Sequence, residues 1–225
     1  MKKSSKIIII SASIVATALA LAVAIPFSIL GIKTRNMLNS SIFLLKNNAH
    51  YSQKVEVNGV NLVTQHVSCG YATIEMLSEF YGKKVSEDEL DQKNKGGVST
   101  QSSSGFLKEA NRSIEGKEFT MKSYLKHEDF LKEIHDSLSN GNPVAIEWAA
   151  KYNNEWTLHF SLVTMLDIGN EKVTVYNPYG YVEDLSLVGG LLPRTSFQAY
   201  KNMPIFLQFG FAYGAFHKNT VFYAK

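Results

Sequence analysis

The hydrophobic period of this chain changes once, near Asn140-Gly141, and that change limits the folds open to it. Before it, apolar residues recur at helical spacing. Ala72, Met76, Leu77 and Phe80 form one stripe between Cys69 and Phe80. Phe130, Leu131, Ile134 and Leu138 form another between Glu128 and Leu138. Between the two, Ser86 with Glu89 makes a capping box, and Phe106, Leu107 and Ala110 mark a helix from Gly105 to Arg112. Beyond Gly141 the chain reads as strands at Pro143–Trp148, Thr157–Leu166 and Lys172–Tyr176, with turns at Asn153-Asn154 and Gly169-Asn170. Phe206 to Tyr223, rich in aromatic residues and glycine, is expected to be sheet as well. Helices first and antiparallel strands later predict an α+β fold.

The N-terminus sets a second limit. Lys2, Lys3 and Lys6 precede a run without charge from Ile7 to Ile32. A helix crossing a bilayer takes about 20 apolar residues, whereas a signal-peptide core takes about 7–15. The length therefore favours a retained membrane anchor over residues 1–32, with the rest of the chain outside the cytoplasm. Ala22-Val23-Ala24 offers a signal-peptidase site, so a secreted form is the alternative. Residues 33–55 read as a spacer with a short apolar patch at Ser41–Leu45, and residues 56–225 as one globular domain. Of the 225 residues 45% are hydrophobic and 19% charged, which is enough for a single core. The net charge of +3 comes without a Lys/Arg block, so a nucleic-acid partner is not expected. No Cys/His spacing suggests zinc, and neither a metal nor an organic cofactor is expected.

Exported proteins usually pair their cysteines or lack them, yet Cys69 is the one cysteine here. It opens a helix and follows Gln65 by four residues, a placement that reads as a nucleophile. The helix N-terminus is expected to lower its pKa, and Gly70 to let a substrate backbone approach. Such a thiol needs a base, a group to orient the base, and donors for an oxyanion. His159 lies in an apolar strand, and Asn177 ends the next one. A hairpin would bring the two together, with the Asn177 side-chain oxygen accepting the ring N–H. Gln65 could donate to the oxyanion beside the Cys69 backbone N–H. The plainer readings are a buried inert cysteine, a core histidine and a turn asparagine. His66 and Glu147 could border the cleft, Trp148 reads as core, His217 as structural, and His127 and His135 as solvent-facing.

Gln65, Cys69-Gly70 with Ala72, His159 on a strand and Asn177-Pro178 at a strand end resemble the papain-like superfamily. More narrowly, they resemble the C39-like peptidases: the bacteriocin-processing, double-glycine-leader peptidases and their stand-alone relatives. Gly97-Val98-Ser99-Thr100 followed by Phe106-Leu107-Lys108-Glu109-Ala110 is similar to that family's segment after the nucleophile helix. The resemblance covers about Val57 to Tyr181. It implies a helical half carrying the nucleophile, packed on an antiparallel sheet. It also implies Cys69 as nucleophile, His159 as general base and then acid, Asn177 as orienter and Gln65 as oxyanion donor. The activity implied is hydrolysis of a peptide or protein substrate through a thioester. Tyr71 stands where the family often has proline, and Asn177 where it commonly has aspartate. Two other readings stay open: acyl transfer or cell-wall amide cleavage by the same dyad, and a silent, surface-anchored binding module.

Overall fold

The structure is a computed structural model and describes residues 15–22, 24–28, 42–196, 204–214 and 216–225. Residues 15–22 and 24–28 of the charge-free run are helical. The rest of that run, the lysines before it and the spacer from 33 to 41 lie outside the described residues. In chain order the elements that follow are α1 (Phe43–Lys46), β1 (Val55–Glu56), α2 (Cys69–Phe80), α3 (Glu87–Lys93), α4 (Ser103–Ser113), β2 (Phe119–Lys122) and α5 (His127–Ser139). Then come β3 (Val144–Tyr152), β4 (Glu155–Asp167), β5 (Lys172–Asn177), β6 (Tyr181–Ser186), a π-turn (Leu187–Leu191), α6 (Leu192–Thr195), α7 (Ile205–Ala212) and β7 (Thr220–Ala224). This is the α+β architecture that the change of period requires.

One antiparallel sheet in the order β2-β7-β3-β4-β5-β6, with β1 added to β4, is covered on both faces. Side chains of a strand alternate between faces, so neighbouring residues serve different cores. Val144, Ile146 and Trp148 meet Phe130, Leu131 and Ile134 of α5. Ala145, Phe160, Leu162 and Phe222 meet Tyr71, Ile74 and Leu77 of α2 and Phe106 of α4. On that second face Phe106 stacks on Phe160 with ring centroids 4.5 Å apart. Fully burying one such ring contributes about 1.5–3 kcal/mol, so the pair anchors α4 across β4.

Two local devices set the register. Asn153 and Asn154 both have positive φ, 47° and 68°, as a two-residue hairpin turn with right-handed strand twist requires. From that turn the pairing runs from Tyr152 with Glu155 to Val144 with Val163, placing Trp148 opposite His159. The second device is a bulge between Val163 and Met165, where the β4–β5 pairing shifts by one residue. Continued without the bulge, the hairpin register would put Asn177 opposite Leu162, on the α2 face. The bulge turns Asn177 to the face that carries His159 and Trp148.

The C-terminal stretch departs from expectation. Only Thr220–Ala224 is strand, and Ile205–Ala212 is helix. The run Ile205-Phe206-Leu207-Gln208-Phe209 lacks the alternation of a half-buried strand, and helix suits a segment that is apolar all round. The helix packs against the N-terminal helical segment: the Tyr213 hydroxyl donates to the Ala22 carbonyl at 2.7 Å, and Phe209 meets Phe27 edge-on at 5.8 Å. His127 and His135 are also not solvent-facing. Both are buried, 6% and 1% exposed, because α5 lies between sheet and surface loops. Burial holds His127 neutral, its pKa pushed down to about 4. Strands β2 and β6 carry too little periodicity to be read in advance. Among the described residues no helix is long and apolar enough to cross a membrane.

Candidate active site

Cys69 is the first residue of α2, and several backbone anchors fix it there. Ser68 caps the helix, its hydroxyl accepting from the Tyr71 N–H at 3.1 Å. The incoming chain is held by Glu87, a fully buried side chain whose Oε2 accepts from the N–H groups of His66 at 3.1 Å and Val67 at 2.7 Å. The exposed His66 ring lies beside Asp88 at 2.9 Å, so it steadies this corner and does not line the cleft. Tyr71 fixes the opposing loop, donating to the Gly97 carbonyl at 2.9 Å and accepting from the Ser99 N–H at 2.9 Å. Gly70 is buried, and a Cβ there would fall on the Thr100 side chain. Its small size thus serves the packing of α2 on this loop, not the approach of a substrate.

The thiol faces the backbone amides of Phe160, Gly70 and Cys69 itself. They favour the thiolate, but burial outweighs them and pushes the pKa up to about 11. This corrects the sequence-based expectation of a lowered pKa: desolvation is the larger effect here, exceeding what a helix terminus supplies. Phe160 immediately follows His159, so the thiol meets the backbone of β4 at the residue next to the one that carries the imidazole. Among the described residues no hydrogen bond joins them. Tyr179 lies near both, stacking on the His159 ring with centroids 4.0 Å apart and close enough to Cys69 for a thiolate there to raise the tyrosine's own pKa.

His159 and Asn177 are brought together as the hairpin argument expects. Nε2 of His159 lies 2.8 Å from Oδ1 of Asn177, and the two residues are 1% and 0% exposed. Oδ1 also accepts from the Tyr179 N–H at 2.9 Å. An atom receiving a backbone N–H must be the amide oxygen, so Nε2 of His159 is the protonated nitrogen and Nδ1 is left as the acceptor. Burial pushes the imidazole pKa down to about 3, so at neutral pH the ring is uncharged. Gln65 joins the same corner through its backbone, donating to the Pro178 carbonyl at 2.7 Å, and its Oε1 is buried without a partner.

A cavity of about 490 Å³ opens at the thiol, lined by Cys69, Val98, Thr100, Leu158, Phe160 and Phe216. A larger hollow of about 750 Å³ lies at the far end of β4 among Lys54, Asp167 and Asp184, away from cysteine and histidine alike. Glu147 does not border the cleft. It is fully buried against the Ser103 hydroxyl at the start of α4, its pKa raised to about 8 by burial. Trp148 is core, its indole N–H donating to Ser161 at 3.1 Å.

Residues 49–188 match the model of the Peptidase_C39 like family. The chain belongs to that family. Among solved structures, it is similar to a double-glycine-motif protease from an AMS/PCAT transporter, crystallised in complex with the leader peptide. That likeness is 14% in sequence identity, with a TM-score of 0.46, over 76% of this chain and 99% of the other. No curated protein matches the chain. The segment matched to the C39-like peptidases holds Gln65, Cys69, His159 and Asn177, and ends before Arg194. Three neighbours of this site were not legible as such: Tyr179, which stacks on the imidazole, and Glu183 and Arg194 behind Asn177. Only the tyrosine after Asn177-Pro178 carried a signal, an aromatic one step from a functional turn.

A protonated thiol beside a neutral imidazole predicts how Cys69 meets a small alkylator. Its labelling by iodoacetamide in the free protein should be slow at pH 6 and rise about tenfold per pH unit between pH 7 and 10. Fast labelling at a constant rate from pH 5 to 8 would instead identify a standing thiolate–imidazolium pair.

Proposed function

We propose that this chain is a cysteine peptidase that hydrolyses a peptide bond through a thioester on Cys69. The observation that carries the reading is the buried His159–Asn177 contact at 2.8 Å, which leaves Nδ1 unprotonated beside the strand position that Cys69 faces. A peptide entering the cavity brings its carbonyl to Sγ, and the sulfur and Nδ1 come within reach in the bound complex, since catalytic contacts often tighten only with substrate bound. The Sγ–C bond forms as the thiol proton passes to Nδ1. Membership of the family supports this chemistry, and so does the supply of amide donors at the start of α2.

The oxyanion formed by attack lies near the Cys69 N–H, and the family pattern makes Gln65, held through its backbone to Pro178, the candidate second donor. The tetrahedral species collapses by breaking the C–N bond, and Nδ1–H protonates the departing amine. Water then attacks the thioester and gives its proton to Nδ1. Sγ leaves and recovers that proton, which restores the starting pair. The apolar lining by Val98, Leu158, Phe160 and Phe216 favours a substrate with an apolar residue near the cleaved bond. Replacing Cys69→Ala should abolish hydrolysis of a peptide library with the melting temperature retained, and Gln65→Ala should lower kcat by 10²–10³-fold. Cleavage undiminished in Cys69→Ala would overturn the reading. Release of acylated amines in place of free acids would assign the chain to acyl transfer.

The reading extends to location: the domain sits outside the cytoplasm, tethered to a membrane through residues 7–32. The charge-free run supports this, and so do the exposed Leu19, Ile25, Ile205 and Phe209, which give the leader and α7 a shared apolar surface. Cell fractionation should leave the full-length chain in carbonate-washed membranes. A soluble product beginning after Ala24 would establish the secreted form instead.

A further inference from the structure

The Asn177 amide has a second neighbour that the chemistry above does not use. Its Nδ2 donates to Oε1 of Glu183 at 2.6 Å. Oε2 of the same carboxylate accepts from Nη1 of Arg194 at 2.9 Å, the two side chains being 17% and 18% exposed. Arg194 is itself fixed on two sides. Its Nε donates to the Ala149 carbonyl at 2.9 Å, and its guanidinium lies 3.5 Å from the centre of the Trp148 ring. Trp148 stands opposite His159 in the β3–β4 ladder, so Arg194 is anchored beside the strand position of the imidazole.

We propose that Glu183, held by Arg194, is a positioning residue that locks the Asn177 amide and through it the Nε2–H tautomer of His159. A primary amide can turn over and exchange its oxygen for its nitrogen with little change of shape. A carboxylate only accepts, so Glu183 admits only the NH₂ end, and with the Tyr179 N–H it makes the oxygen face the imidazole. The same carboxylate draws the amide electrons toward Oδ1, which makes that oxygen a better acceptor when the ring becomes imidazolium. Arg194 for its part disfavours a positive charge on His159. The tautomer claim stands on these contacts alone. Its consequence for turnover rests on the peptidase reading.

The test is an exchange of amide and acid. In Glu183→Gln the new side chain can present either end to Asn177, and kcat should fall about 10–100-fold with KM little changed. In Asn177→Asp two carboxylates face each other at hydrogen-bond distance, and kcat should fall at least as far. In the double variant Asn177→Asp/Glu183→Gln the polarity is restored. Arg194 donates to the Gln oxygen, the Gln NH₂ donates to Asp, and Asp accepts from His159. The double variant should therefore be more active than either single one. Double-variant activity at or below the poorer single variant would overturn the proposal.

A second readout needs no activity. In full-length protein carrying ¹⁵N-histidine, with the His159 signals identified by their loss in His159→Ala, the wild type should show the Nε2–H tautomer alone. Glu183→Gln should show a mixture, and the double variant should return to the single form. Glu183→Gln/Arg194→Gln, which leaves no unpartnered charge, should show the same mixture if Glu183→Gln folds poorly. An unchanged tautomer in both would overturn the proposal. A tautomer that responds as stated in a protein that cleaves nothing would uphold the positioning role and reject the peptidase reading.

Discussion

The site depends on a single buried amide whose oxygen and nitrogen are both committed to hydrogen bonds. Asn177 is fully enclosed, and its oxygen accepts from His159 and the Tyr179 N–H while its nitrogen donates to Glu183. Leaving one such buried group unpaired costs about 1–3 kcal/mol, so the arrangement resists exchange with alternatives. Much of the fold serves to bring these partners to one place. The bulge in β4 selects the face, the hairpin at Asn153-Asn154 sets Trp148 against His159, and α6 delivers Arg194 from a distant part of the chain.

A buried, uncharged imidazole beside a protonated thiol gives the site a defined resting state. Each group is kept neutral by the loss of water around it, His159 with a pKa of about 3 and Cys69 of about 11. On the proposed peptidase reading, charge appears only as the thiol proton moves, and the ionic pair forms in the reacting complex. A protonated thiol without a partner cysteine is slow to enter disulfide exchange, because the thiolate is the reactive form.

The sequence was most informative where local rules act alone. The cap at Ser68, the capping box at Ser86 and the apolar stripes of Cys69–Phe80 and Glu128–Leu138 each depend on residues within one element. The proximity of His159 and Asn177 followed from a hairpin, the shortest-range tertiary contact. What escaped depends on distant partners. Glu183 and Arg194 are ordinary charged residues until α6 folds back against β3. The 205–212 helix is apolar without a period, and its partner is the N-terminal helical segment, far away in the chain. The Cys69 pKa escaped for a similar reason: the helix terminus is local, whereas the burial that overrides it comes from β4 and the 97–100 loop.

The central claim is that Cys69, His159 and Asn177, with Gln65 beside them, form one reaction centre. The most direct measurement is a crystal structure of the protein reacted with a peptidyl aldehyde chosen from a panel by intact mass. The account predicts a single adduct, on Cys69, as a hemithioacetal. Its oxygen should lie about 2.7–3.1 Å from the Cys69 N–H and from the Gln65 side-chain nitrogen, with Nδ1 of His159 turned toward the sulfur. An adduct whose oxygen points to solvent, with the His159 ring directed away from Cys69, would contradict it.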